Sequence, residues 1–180
     1  MAEFNENLWA PWRMDYIRSL ADEANGDGCF LCRYWAQPDR DRENHVVWRT
    51  AGAFVVMNRF PYTNGHLMIA HAAHKGDPTD LGVDELTEMT AAIRDAVAVL
   101  KRTISPQGFN IGYNIGRCAG AGLPNHLHAH VVPRWSGDTN FMAVLGDKRV
   151  IPDSLDALWA ELTKAAARLG LAAVRSEQQP

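Results

Sequence analysis

Three histidines stand at every second position in Asn125-His126-Leu127-His128-Ala129-His130-Val131-Val132-Pro133-Arg134, with apolar residues between them. The chain has seven histidines in 180 residues, so this concentration asks for a chemical explanation. Period-two alternation is a strand pattern, and residues i, i+2 and i+4 of a strand point to one face. His126, His128 and His130 are therefore expected on one face, with Leu127, Ala129 and Val131 turned into a core. Three uses of that face compete. One is a row of hydrogen-bonded histidines on an exposed strand. A second is a metal site, because neutral imidazole is a good zinc ligand. The third is phosphoryl or nucleotidyl transfer, in which a neutral imidazole attacks phosphorus while another histidine supplies a proton or steadies charge.

The residues just upstream favour the third use. Gly108-Phe109-Asn110-Ile111-Gly112-Tyr113-Asn114 alternates and reads as a strand. Between it and the histidines runs Gly116-Arg117-Cys118-Ala119-Gly120-Ala121-Gly122-Leu123-Pro124. Small residues let backbone N–H groups come close to a ligand, and successive free N–H groups form anion-binding nests.

A second cluster with chemical potential is Cys29-Phe30-Leu31-Cys32. Two cysteines three apart can chelate one tetrahedral metal, which needs two further ligands from elsewhere. Redox chemistry is the rival, but it expects a βαβ context, and this pair precedes a polar stretch, Gln37 to Asn44. A buried pair without a ligand is the third possibility. An odd total of three cysteines speaks for metal or redox use rather than a disulfide framework.

The elements that must position these groups are legible in outline. His45 to Thr50 and Ala53 to Asn58 are apolar, β-branched runs split by Ala51-Gly52, a hairpin pattern. Asn58 ends the second run ahead of the turn Pro61-Tyr62-Thr63-Asn64-Gly65, and His66 to Ala70 forms a third strand. From Gly82 to Ile104, Leu86, Met89, Ile93, Val97, Leu100 and Ile104 keep helical spacing, and Ser105-Pro106 ends the helix. Gly82 with Glu85 resembles a capping box, although Gly lacks a side-chain acceptor. After a turn-rich stretch at 135–140, a last amphipathic helix runs from about Asp153, with Leu155, Leu158, Trp159, Leu162 and Leu169 inward and Gly170 as its stop. Strands and helices do not alternate as βαβ, so the expected class is α+β: an antiparallel sheet with one long helix and a C-terminal helix packed on it. One domain, residues 45–170, is expected. Residues 1–44 supply an arm, rich in Trp9, Trp12, Met14, Tyr16 and Ile17, and the CxxC segment laid on that domain; residues 171–180 form a polar tail.

Composition excludes several functions. A net charge of −3 argues against a broad nucleic-acid surface. No apolar run approaches the roughly 18 residues that span a membrane. Met1 to Glu6 carries acids and no apolar core of a secretory signal, so the expectation is a cytoplasmic protein.

The pattern His-apolar-His-apolar-His-apolar-apolar resembles the signature of the histidine triad (HIT) family. Further blocks extend the resemblance to its bacterial branch related to diadenosine tetraphosphate phosphorylase: Leu8 to Met14, Met57 to Leu67, Gly108 to Asn114, Val132 to Trp135, Gly137 to Phe141 and Val150 to Pro152. The resemblance implies a HIT-like fold, a homodimer, a nucleotide substrate and no organic cofactor. It implies that His128 attacks the α-phosphorus of a nucleoside polyphosphate to give a nucleotidyl-histidine, which inorganic phosphate or water then resolves. It gives His130 the α-phosphate or the leaving oxygen, Asn58 the ribose hydroxyls, Asn114 the phosphate or ribose, and the backbone of Gly120, Ala121 and Gly122 the phosphate oxygens. Relatives with this CxxC resemble zinc proteins, whose other ligands are a histidine after the third strand and the first triad histidine. Here those would be Cys29, Cys32, His74 and His126, a closed and therefore structural site. His71, where relatives usually have proline, is the alternative third ligand. The chain also departs at Gly122-Leu123-Pro124, where many relatives place Ser or Thr. Alternative readings are a nucleotide-binding module without turnover, a water-dependent hydrolase of small nucleotide conjugates, and a catalytic three-histidine zinc centre. The last is conceivable because same-face neighbours lie about 6.6 Å apart on a strand.

Overall fold

A computed structural model describes residues 28–138 and 151–171. The aromatic arm expected within residues 1–20 and almost all of the polar tail lie outside the described residues. Five strands form one antiparallel sheet: β1 (Val46–Arg49), β2 (Ala53–Met57), β3 (Leu67–His71), β4 (Gly108–Tyr113) and β5 (His128–Arg134), in the spatial order β1-β2-β3-β5-β4. The expected α+β class and all expected strands are present. The β1–β2 hairpin closes tightly, with the Thr50 N–H donating to the Ala53 carbonyl at 2.8 Å.

β2 and β3 are buried on both faces, which is why they read as apolar runs rather than alternations. One face of the sheet, including Val55, Leu67, Ile69, Ala129 and Val131, packs against the long helix α2 (Val83–Thr103) and the C-terminal helix α3 (Leu155–Arg168). Met89, Ala92, Ala96, Val99 and Leu100 are the buried stripe of α2, while Ile93 and Val97 flank it. Glu85 accepts from the Gly82 N–H at 2.7 Å, the half of a capping box that glycine allows. The α3 start is capped by Ser154, which accepts from the Ala157 N–H, and Trp159 Nε1 donates to the Val46 carbonyl at 2.8 Å. Gly170 takes a left-handed φ of 76° just past the helix.

The opposite face carries the chemistry. Phe54, Val56, Met68 and Ala70 meet Leu31 and Tyr34 of a helix, α1 (Phe30–Ala36), that the sequence pattern did not announce. Seven residues are too few to display a periodicity. This helix is held from outside: Arg49 on β1 donates to the Tyr34 carbonyl at 2.6 Å and the Trp35 carbonyl at 3.0 Å, and is itself gripped by Asp41. A second difference concerns the triad. His126 is fully buried in the turn ahead of β5, and the strand proper begins at His128. Leu127, Ala129 and Val131 do enter the core as expected.

No helix among the described residues is long and apolar enough to cross a membrane.

Candidate active site and metal centre

The sheet order makes β3 and β5 neighbours, with Met68 opposite His130 and Ala70 opposite His128. His66, just ahead of β3, therefore stands diagonally beside His130. It is 1% exposed, and its Nε2 lies 2.9 Å from His130 Nδ1. His66 Nδ1 accepts from the Tyr62 N–H at 3.1 Å and lies 3.3 Å from the Asn58 amide nitrogen. A ring nitrogen that accepts carries no proton, so the His66 proton sits on Nε2 and donates to His130 Nδ1. The His130 proton is thereby fixed on Nε2, which lies 3.5 Å from the Asn114 amide nitrogen. An oxygen placed between those two donors would accept from both.

His128 has the opposite tautomer. Its Nδ1–H donates to the His126 carbonyl at 2.8 Å, so Nε2 keeps a lone pair. The His128 and His130 rings meet at 71° with centroids 5.0 Å apart. The arrangement thus pairs a nucleophilic nitrogen with a hydrogen-bond donor.

Burial keeps these rings neutral. Desolvation, reinforced by the neighbouring His130 and His128, holds His66 down at about 3. Desolvation and then His128 hold His130 at about 4. His128 is lowered too by desolvation, opposed by its bond to the His126 carbonyl.

His128 and His130 line a cleft of about 700 Å³ counted with its open mouth. Asn58, Asn114, Gly120 and Gly122 share its wall. Ala121 is buried and does not line it. Within the loop the Gly120 N–H donates to the Arg117 carbonyl and the Ala121 N–H to the Gly116 carbonyl. Phe30 and Tyr34 of α1, with Met57 and Met68, give the cleft an apolar side. Arg59, an exposed residue, is the one charged residue among the described residues that line it.

Beside the cleft, one ligand atom from each of Cys29, Cys32, His74 and His126 lies within 4.8 Å of the others, a group that could hold a metal ion. His126 Nδ1 is 3.1 Å from Cys29 Sγ and 3.4 Å from Cys32 Sγ, and His74 Nδ1 is 3.3 Å from Cys32 Sγ. Tetrahedral zinc with bonds of about 2.0–2.3 Å has ligand–ligand edges of roughly 3.3–3.8 Å, so the spacing fits. The tautomer fits as well: His126 donates Nε2–H to the His71 carbonyl at 2.6 Å, leaving Nδ1 as a ligand. Burial and the adjacent Cys29 push the Cys32 thiol up to about 11, a cost that a bound cation would remove.

His71 is not in this group. Its Nδ1 accepts from the Ala73 N–H at 3.0 Å, and its Nε2 faces Glu85 at 3.2 Å. Of the two histidines left open, it is His74 that stands with the two cysteines, and His71 contributes its carbonyl behind His126. His66 is the residue that sequence reasoning missed. Its position after the Pro61–Gly65 turn was visible, but its neighbour depends on the β3–β5 pairing.

A model of the HIT domain matches residues 39–137. An AP-4-A phosphorylase of Mycobacterium tuberculosis is 37% identical over 153 residues, 83% of this chain and 78% of that protein. An asymmetrical bis(5'-nucleosyl)-tetraphosphatase of Schizosaccharomyces pombe is 30% identical over 95 residues, 53% of this chain and 52% of that protein. The structure of a zinc-bound histidine triad family protein from Mycobacterium smegmatis superimposes with a TM-score of 0.65 at 25% identity, covering 79% of this chain and 96% of that one. With the domain match spanning the sheet and the triad, this chain belongs to the histidine triad (HIT) family.

Proposed function

We propose that this chain is a nucleotidyl-transferring enzyme acting on dinucleoside polyphosphates such as diadenosine tetraphosphate, with inorganic phosphate as acceptor. The observation that carries the reading is the pair of opposed tautomers: an Nε2 lone pair on His128 beside an Nε2–H on His130. The 37% identity to an AP-4-A phosphorylase supports the substrate class.

In the first step His128 Nε2 gives its pair to the α-phosphorus. The bond from phosphorus to the bridging oxygen breaks, and the leaving nucleoside polyphosphate takes that electron pair. His130 Nε2–H and the Asn114 amide hold an oxygen of the reacting phosphate or of the leaving group, where negative charge grows. In the second step an oxygen of inorganic phosphate attacks the adduct, and the N–P pair returns to His128. Asn58, whose amide oxygen accepts from the Phe60 N–H at 2.9 Å and whose amide nitrogen lies 3.3 Å from His66 Nδ1, has a second N–H to present to ribose. The apolar side formed by Phe30, Tyr34, Met57 and Met68 suits the base. Since Gly120 and Ala121 spend their N–H groups within the loop, Gly122 is the loop residue we assign to phosphate.

A zinc ion on Cys29, Cys32, His74 and His126 would tie α1 to the triad turn and takes no part in a reacting step. We assign residues 1–44 as a segment laid on a domain of residues 45–170. Ile111 and Tyr113 on the open edge strand β4, with Ile115 beyond it, are large exposed apolar residues and suit a second copy in a homodimer. Reduced cysteines at a metal group suit a cytoplasmic location.

Incubation with diadenosine tetraphosphate, with and without phosphate, tests the proposal. ADP plus ATP only with phosphate is expected. AMP plus ATP regardless of phosphate would make the enzyme a hydrolase, as the tetraphosphatase relative is named. No turnover would overturn the proposal.

A further inference from the structure

The proposed reaction brings several negative charges into a cleft whose own groups are almost all uncharged. Its buried histidines are neutral, and a zinc ion with two thiolates and two imidazoles would add no net charge. The chain as a whole carries −3. Arg59 is the exception among the described lining residues. Its guanidinium is permanently charged and forks to fit phosphate oxygens.

The backbone around Arg59 is tied to the donor side of the site. On one side Asn58 accepts from the Phe60 N–H at 2.9 Å. On the other, the Tyr62 N–H donates to His66, and the Tyr62 ring lies over His66 at 4.6 Å and stacks on His130 at 6.0 Å. The loop bearing Arg59 is therefore pinned to the His66–His130 pair, on the side assigned to an oxygen of the reacting phosphate or of the leaving group.

In-line displacement adds the decisive constraint. The oxygen that leaves in the first step departs opposite His128 Nε2, and the oxygen that enters in the second must approach from that same position. The phosphate next to the leaving oxygen and the incoming inorganic phosphate thus occupy one subsite. We infer that Arg59 is the specificity-determining residue of that subsite, binding the leaving polyphosphate and then selecting inorganic phosphate over water as the acceptor. Water needs no charge partner, so the two second steps depend on Arg59 differently. With phosphate, its oxygen forms the new P–O bond, the His128 N–P bond breaks, and a nucleoside diphosphate is released. With water, the same bond breaks and the mononucleotide is released.

This rests on the nucleotidyl-transfer reading above. The experiment compares wild type, Arg59→Ala and Arg59→Lys, with Arg94→Ala on α2 as a surface control. Each is given diadenosine tetraphosphate across a range of phosphate concentrations, and ADP and AMP are quantified. Loss of a charge-assisted contact predicts a KM for phosphate raised about tenfold or more in Arg59→Ala, with a larger AMP share. Arg59→Lys should recover part of the phosphate selectivity, and Arg94→Ala should match wild type. An unchanged KM for phosphate and an unchanged ADP to AMP ratio in Arg59→Ala would overturn the inference, as would a wild type that makes only AMP. A wild type with no turnover would instead remove the underlying reading.

Discussion

His66 Nε2 and His130 Nδ1 lie 2.9 Å apart, and that contact sets the proton on the far nitrogen of His130. The order of cause runs outward: the Tyr62 N–H fixes His66, His66 fixes His130, and His130 is left with a donor facing the cleft. Replacing His66 by alanine frees His130 to take either tautomer. A drop in kcat of roughly 10²-fold is expected, the scale of a well-placed proton donor, with AMP affinity largely retained. Unchanged kcat in a folded His66→Ala protein would refute this role.

Acid should destabilise the protein through the same residue. His66 is held at about 3 in the fold against 6.5 when exposed. Between those values the unfolded chain binds a proton that the folded chain does not, so stability is whole above about pH 6.5 and falls as pH drops toward 3. At pH 5 the loss from His66 alone is about 2 kcal/mol, or a fall in Tm of roughly 4–8 °C for a domain of this size. Melting curves from pH 8 to pH 5 read this directly. His66→Leu should show a shallower slope over that range, and an equal slope would count against the assignment.

Metal content should separate two histidines only three residues apart. His74→Ala should lose bound zinc, because the imidazole is the ligand, whereas His71→Ala should keep it, because His71 supplies a backbone carbonyl to His126. Stoichiometry by elemental analysis decides. Chelation should also weaken AMP binding. Phe30 of the cleft wall lies between Cys29 and Cys32, and the first turn of α1 has no side-chain cap to hold it otherwise. AMP affinity unaffected by metal removal would contradict that coupling.

Ile111 is 48% exposed on edge strand β4. If the proposed homodimer forms through β4, wild type should sediment as a dimer and Ile111→Asp as a monomer at micromolar concentration, since edge charges block strand association. A variant that remains dimeric would place the interface elsewhere.

Local pattern made much of this molecule legible. Period-two alternation located β5 and the inward Leu127, Ala129 and Val131, and helical spacing located α2 and α3. What escaped was set by distant partners. α1 is too short to show a period and depends on Arg49, some fifteen residues on. His66 becomes a site residue only because β3 lies beside β5. The choice of His74 over His71 turns on which imidazole is already engaged, by Ala73 and Glu85, and spacing alone carries no trace of that.

The central claim is that the nucleotidyl group passes through His128. The most direct measurement is the configuration at phosphorus, using a substrate whose α-phosphate is made chiral with sulfur and oxygen isotopes. Two in-line displacements, one by His128 and one by the acceptor, predict overall retention. Overall inversion would mean that the acceptor attacks the substrate directly and that no histidine adduct forms.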